Sequence, residues 1–230
     1  MKVTRIARTA RTEETGSGCA ILTLDQPEGQ NSHLNTLTRA KLGAMREELA
    51  KLATAGELRV LIVTPSASNT GSSYFSVGAD LREIASLTKE NGAEFSRLGQ
   101  ETFALLSKAA PVTIAAIDGY CLGGGLDLAL SCTLRYASPG SSFQHPGAQR
   151  GIITGWGGTQ RLARLIGVDA ALRLLLLGER IDASEAQRIG LLTGIDPDPL
   201  RHAVRIGTEI ARQYSREELT EIIASFETGE

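Results

Sequence analysis

Cysteine is scarce in this chain: Cys19, Cys121 and Cys132 are all there is in 230 residues. An odd number without metal-like spacing excludes a disulfide framework and a zinc knuckle, and predicts reduced thiols in a cytoplasmic protein. The three histidines, His33, His145 and His202, are too scattered to suggest a metal site. No run approaches the ~18 apolar residues of a membrane span. The start, MKVTRIARTARTEET, lacks the apolar core of a signal peptide. An excess of one charge is missing too: 24 Lys and Arg against 26 Asp and Glu leave a formal charge of −2. That balance gives no nucleic-acid footprint and no polybasic patch for a membrane.

Several motifs are also absent. A glycine tract at Gly119, Gly123 and Gly125 has dinucleotide-like spacing. The residues four past Tyr74, Tyr120, Tyr136 and Tyr214 are Gly78, Gly124, Gly140 and Glu218, so the Tyr-x-x-x-Lys pair of short-chain dehydrogenases does not occur. No Gly-Lys-Ser/Thr follows the tract, which removes a P-loop, and no Gly-x-Ser-x-Gly elbow exists. Internal repeats, low-complexity tracts and linkers are not evident.

What is present centres on residues 114–131, IAAIDGYCLGGGLDLALS. The apolar run from Val112 to Ile117 predicts a buried strand. It breaks at Asp118-Gly119 and reaches Gly123, Gly124 and Gly125, after which Leu126, Leu128 and Leu130 open an apolar helix. Glycines between strand and helix let a ligand approach bare backbone where N–H groups are unpaired, a place for negative charge. Asp127 falls one helical turn on, along the same face. Residues 75–80, FSVGAD, form a second strand-to-helix turn, with Asp80 placed to stabilise the helix start. Two turns that both aim N–H groups would suit an oxyanion hole.

Elsewhere, strands are expected at 19–24, 58–64 and 133–137. Helices are expected at 34–53, 91–108, 159–166, 168–177 and 183–190, and one or two more across 200–226; residues 143–158 are expected to be a loop. Strands dominate early and helices late, with alternation between, which implies a layered α/β fold in one domain.

FSVGAD and IAAIDGYCLGGGLDLAL, followed by GWGGTQRL and IDASEAQRIGLL, resemble the crotonase superfamily of enoyl-CoA hydratases and isomerases, over residues 19–192. The resemblance implies a spiral of ββα units over residues 1–195, with a shortened helical C-terminal portion at 196–230. It implies an acyl-CoA substrate, no cofactor beyond the CoA of the thioester itself, and assembly as a homotrimer or hexamer. By motif match the two backbone donors fall on Ala79 and Gly124, and residues 27–31 match the loop that helps hold CoA. Hydratases of this family use two glutamates; the first position is Asp127 here, and the second is Gly147. Dienoyl-CoA isomerases resemble the chain in carrying an aspartate first, but have acids where this sequence has Gly147 and Gly155. His145 is the one imidazole near the site in sequence, and imidazole is a side chain suited to proton transfer. Trp156 is expected to pack the loop or line an acyl pocket. Enoyl-CoA hydration or isomerisation leads, with decarboxylation, thioester hydrolysis or CoA binding without turnover as alternatives. Gly147→Glu is expected to raise hydration if the pocket is otherwise that of a hydratase, and Ala79→Pro to delete a donor at a cost in rate, with the fold intact if Ala79 opens its helix.

Overall fold

The computed structural model describes residues 4–7, 18–24, 34–66 and 73–228. Strand β1 (Thr4–Ala7) pairs antiparallel with β2 (Cys19–Leu24), and β2 runs parallel to β4 (Val60–Pro65). Next come β7 (Val112–Ile117), β9 (Leu134–Ala137) and the two-residue β12 (Gly194–Ile195), all parallel. This six-stranded sheet has the order β1-β2-β4-β7-β9-β12.

The apolar runs of β4 and β7 have a two-sided cause. Leu61, Val63, Ala115 and Ile117 face the main core. Val60, Ile62, Val112, Ile114 and Ala116 face the other way, onto Ala203 and Ala211 of the late helix α8 (Pro199–Gln213). With both faces covered, no alternation of polar residues survives.

A second sheet takes the short strands β5 (Tyr74–Ser76), β8 (Tyr120–Leu122), β10 (Ser142–Gln144) and β11 (Ile181–Asp182), in the order β11-β10-β8-β5. The chain therefore passes from large sheet to small sheet to helix three times. β4 and β5 lead to α3 (Lys89–Ala109), β7 and β8 to α4 (Gly124–Leu130), and β9 and β10 to α5 (Gly158–Ile166). The ββα repeat exists in the backbone although no repeat exists in the sequence.

Two expectations need correction. The helix expected from Leu34 starts at Arg39, as α1 (Arg39–Ala55), because the Thr38 hydroxyl caps it by accepting from the Lys41 N–H at 3.1 Å. Thr36–Leu37 instead form β3, parallel to β6 (Gly78–Ala79). The loop expected from Phe143 begins later, since Phe143 lies on β10 with its ring fully buried.

Candidate active site

Two turns meet at one cavity. In the first, the Ser76 hydroxyl donates to the Asn35 carbonyl at 2.7 Å and accepts from the Gly78 N–H at 3.1 Å. Asn35 is fully buried; its Nδ2 donates to the Phe75 carbonyl at 2.5 Å, and its Oδ1 accepts from the Lys41 ammonium at 2.6 Å. This network fixes the chain just before Ala79. Gly78 has φ +85°, and a Cβ there would stand 2.5 Å from the Gly124 amide nitrogen, so only glycine fits. Asp80 caps the short helix α2 (Leu81–Ala85), accepting from the Arg82 N–H at 2.8 Å. Ala79 thus lies on β6, two residues ahead of Leu81, and does not open the helix.

In the second turn, β8 runs into Gly123, with φ +52°, whose N–H donates to the Gln144 carbonyl at 2.9 Å. Gly124 is the first residue of α4, where N–H groups lack intrahelical partners. A Cβ on Gly124 would stand 3.5 Å from the Ala79 amide nitrogen and 2.3 Å from Trp156 Cζ3. The two turns expected to act together do meet, and N–H groups this close can hold one anionic oxygen.

Ala79 and Gly124 line a cavity of about 400 Å³. Leu81, Ile84, Leu87, Phe95, Ile153 and Trp156 make most of its wall apolar. Trp156 both packs and lines: its ring meets those of Phe95 and Phe103 edge-on at 5.3 and 5.7 Å between centroids. Its Nε1 donates to the Phe95 carbonyl at 3.4 Å.

Asp127 and His145 line the same cavity and are 1% and 5% exposed. Parallel pairing of Gln144 with Leu122 carries His145 alongside the glycine turn. Its Nε2 lies 3.3 Å from Asp127 Oδ1, without hydrogen-bond geometry, and neither atom has a hydrogen-bond partner among the described residues. The other carboxylate oxygen, Oδ2, accepts from the Thr154 hydroxyl. Gly158 makes room for Oδ1, since a Cβ there would stand 1.9 Å from it. Thr154 and Gly158 escaped the sequence reading, because neither residue type signals a site at that spacing.

Gly147 is closed to any side chain. Its carbonyl accepts from the Arg150 and Ile152 N–H groups at 2.8 and 2.9 Å, and a Cβ would stand 2.6 Å from the Ile152 carbonyl oxygen. A glutamate there has no room unless the loop moves, so the gain expected from Gly147→Glu does not follow. At Gly155 a Cβ would meet Ser96 Oγ at 2.6 Å.

Burial pushes the Cys121 thiol well up, and the nearby Asp127 charge adds to this, so Cys121 stays a thiol. The Arg161 guanidinium on α5 is lowered by burial and pulled back up by Asp127. Among the described residues no group of three or more His, Cys, Asp or Glu could hold a metal. Residues 27–31 and His33 lie outside the described residues.

Residues 14–227 match the enoyl-CoA hydratase/isomerase family. The chain is 34% identical to the short-chain-enoyl-CoA hydratase of Clostridium acetobutylicum over 187 residues, 81% of this chain and 69% of that protein. Its fold is similar to that of Pseudomonas aeruginosa DspI, with TM-score 0.84 and 30% identity over 96% of this chain and 85% of that one. It is also similar to the enoyl-CoA hydratase of Bacillus anthracis, with TM-score 0.79 and 30% identity over 91% and 77% of the two chains.

Proposed function

The chain belongs to the enoyl-CoA hydratase/isomerase family, and we propose that the Ala79 and Gly124 N–H groups hold the thioester oxygen of an acyl-CoA while an enolate-like species forms. The protein is an acyl-CoA-processing enzyme of the enoyl-CoA hydratase/isomerase type with a crotonase-like α/β fold. The observation that carries the site assignment is the contact between two separate turns, Gly78-Ala79 against Gly123-Gly124, at the wall of one cavity. Fixed donors aimed at a developing oxyanion need no reorganisation when charge appears there.

Asp127 and His145 take the place of the two-carboxylate pair. In hydration the water oxygen bonds to C3 of the enoyl group, a proton passes from that water to the pair, and the C2=C3 electrons move toward the thioester oxygen. The pair then returns a proton to C2. Its buried, mutually facing atoms are the groups available for this transfer.

The apolar wall suits an apolar acyl chain, and the volume lies in the range of ordinary ligand pockets. An adjoining cavity shares Val77, Ala79, Pro146 and Arg150 with it and adds Arg82 and Arg180, which suits the phosphate-bearing part of CoA. No cofactor beyond that CoA is needed. The division proposed is a crotonase-like core domain over 1–195 and a C-terminal helical segment over 196–230, a reading supported by the packing of α8 on the large sheet.

A homotrimer is supported by Val168, Leu172 and Leu176 along one face of α6 (Val168–Leu176), which are 61%, 44% and 63% exposed. A cytoplasmic location is supported by three buried free cysteines. Among the described residues no helix is long and apolar enough to cross a membrane.

Turnover of a panel of enoyl-CoA thioesters, followed by loss of the conjugated thioester absorbance, tests the function. Turnover by the unsubstituted protein that is lost in Asp127→Asn supports it. CoA-thioester binding with no turnover across the panel would overturn it.

A further inference from the structure

We infer that Thr154 is a positioning residue, which assigns the two oxygens of Asp127 to different tasks and turns the proton-carrying one toward His145 and the cavity. The inference rests on the acid–base reading of Asp127 given above. A threonine hydroxyl has one hydrogen to give. At Thr154 that hydrogen cannot point at the Trp156 N–H, because Oγ1 accepts from this group at 3.3 Å. It goes instead to Asp127 Oδ2. Oδ2 is thereby an acceptor in the resting site, and proton exchange is left to Oδ1. This is the atom 3.3 Å from His145 Nε2, with no hydrogen-bond partner of its own among the described residues.

The device extends one layer outward. The Trp156 carbonyl accepts from Arg161 Nη1 at 2.8 Å, so a guanidinium on α5 fixes the peptide segment that fixes the Thr154 hydroxyl. Arg161 also places positive charge near Asp127, and the titratable groups around the carboxylate are then His145, Arg161 and the Cys121 thiol. Gly158, one turn before Arg161 on the same helix, keeps Oδ1 free of a Cβ. A carboxylate with two equivalent oxygens could turn either one to its partner. Here one oxygen is tied, and the short aspartate side chain is held in one orientation.

The test compares Thr154→Val, which keeps the shape and deletes the hydroxyl, with Thr154→Ser, which keeps the hydroxyl; Thr154→Ala serves if the valine variant does not fold. The first readout needs no turnover. Of three histidines, His145 is identified in nitrogen-15 spectra by the signal lost in His145→Gln. Its Nε2 signal should move in Thr154→Val and return in Thr154→Ser. The second readout is enoyl-CoA turnover: kcat should fall about 10²-fold in Thr154→Val with little change in KM, and recover in Thr154→Ser. An unmoved Nε2 signal with unchanged kcat in Thr154→Val would overturn the inference, as would a serine variant as impaired as the valine one. Asp127→Asn separates the two levels. Full activity there would remove the acid–base reading of Asp127, whereas loss there beside an unaffected Thr154→Val would remove the role of Thr154 alone.

Discussion

Asp127 Oδ1 and His145 Nε2 face each other at 3.3 Å, both buried and both without a hydrogen-bond partner among the described residues. Leaving two such atoms unpaired is costly unless a polar group of the ligand reaches them from the cavity. Removing either group should therefore impair chemistry more than folding. Asp127→Asn and His145→Gln are each expected to lower kcat by about 10²–10⁴-fold, while thermal stability stays the same or rises. Steady-state kinetics with a melting curve checks this; a matched fall in both quantities would place the pair in the scaffold.

The closed environment of Gly147 yields a prediction of opposite sign to the one the sequence suggests. With the Ile152 carbonyl 2.6 Å from where a Cβ would stand, Gly147→Ala should cost about 1–3 kcal/mol through overpacking, and Gly147→Glu at least as much. Hydration by Gly147→Glu should fall. Denaturant unfolding beside an activity assay decides it, and a stable, faster Gly147→Glu enzyme would show that the loop opens to accept the acid.

The core strands and the two turns were legible in the sequence for a definite reason. Val112–Ile117 is apolar throughout because both sheet faces are covered, and the glycines at 78 and 123 mark positive-φ turns that leave little choice of residue. β3, β8 and β11 were not legible, since strands of two or three residues carry too few side chains for alternation to register. Asn35 and Lys41 looked like parts of a helix and its approach; their buried network with Ser76 depends on contacts about 40 residues away in sequence. Thr154 lies 27 residues beyond Asp127 and Gly158 further still, past β9 and β10, so their contacts with it have no period along the chain.

Asp80 gives a pH-dependent signature. The Arg82 side chain, at 2.9 Å, and the Arg82 N–H hold the Asp80 carboxyl below its ordinary value. A carboxyl lowered in the folded state stabilises above the unfolded pKa near 3.9, and that contribution is lost as pH falls through the folded value. The unsubstituted protein should therefore exceed Asp80→Asn in Tm at neutral pH, with the gap closing below about pH 4. A gap independent of pH would leave Asp80 as a neutral cap only.

The apolar face of α6 makes the assembly testable. Leu172→Glu places a charge in the middle of the stripe formed with Val168 and Leu176. Sedimentation should show a trimer for the unsubstituted chain and smaller species for Leu172→Glu, with the fold intact by circular dichroism. A monomer before any substitution would remove the trimer.

The central claim is that two backbone N–H groups, of Ala79 and Gly124, hold the thioester oxygen. Ala79→Pro is a poor probe, because Ala79 sits on β6 after a glycine with φ +85°, and proline restricts the residue before it. The carbonyl itself is the better reporter. Infrared difference spectra of a bound enoyl-CoA carrying carbon-13 at the thioester carbonyl measure how strongly that bond is polarised, whether or not the acid–base pair is intact. The carbonyl stretch should move to lower frequency than in free thioester and stay there in Asp127→Asn. A bound thioester whose carbonyl stretch matches that of the free compound would contradict it.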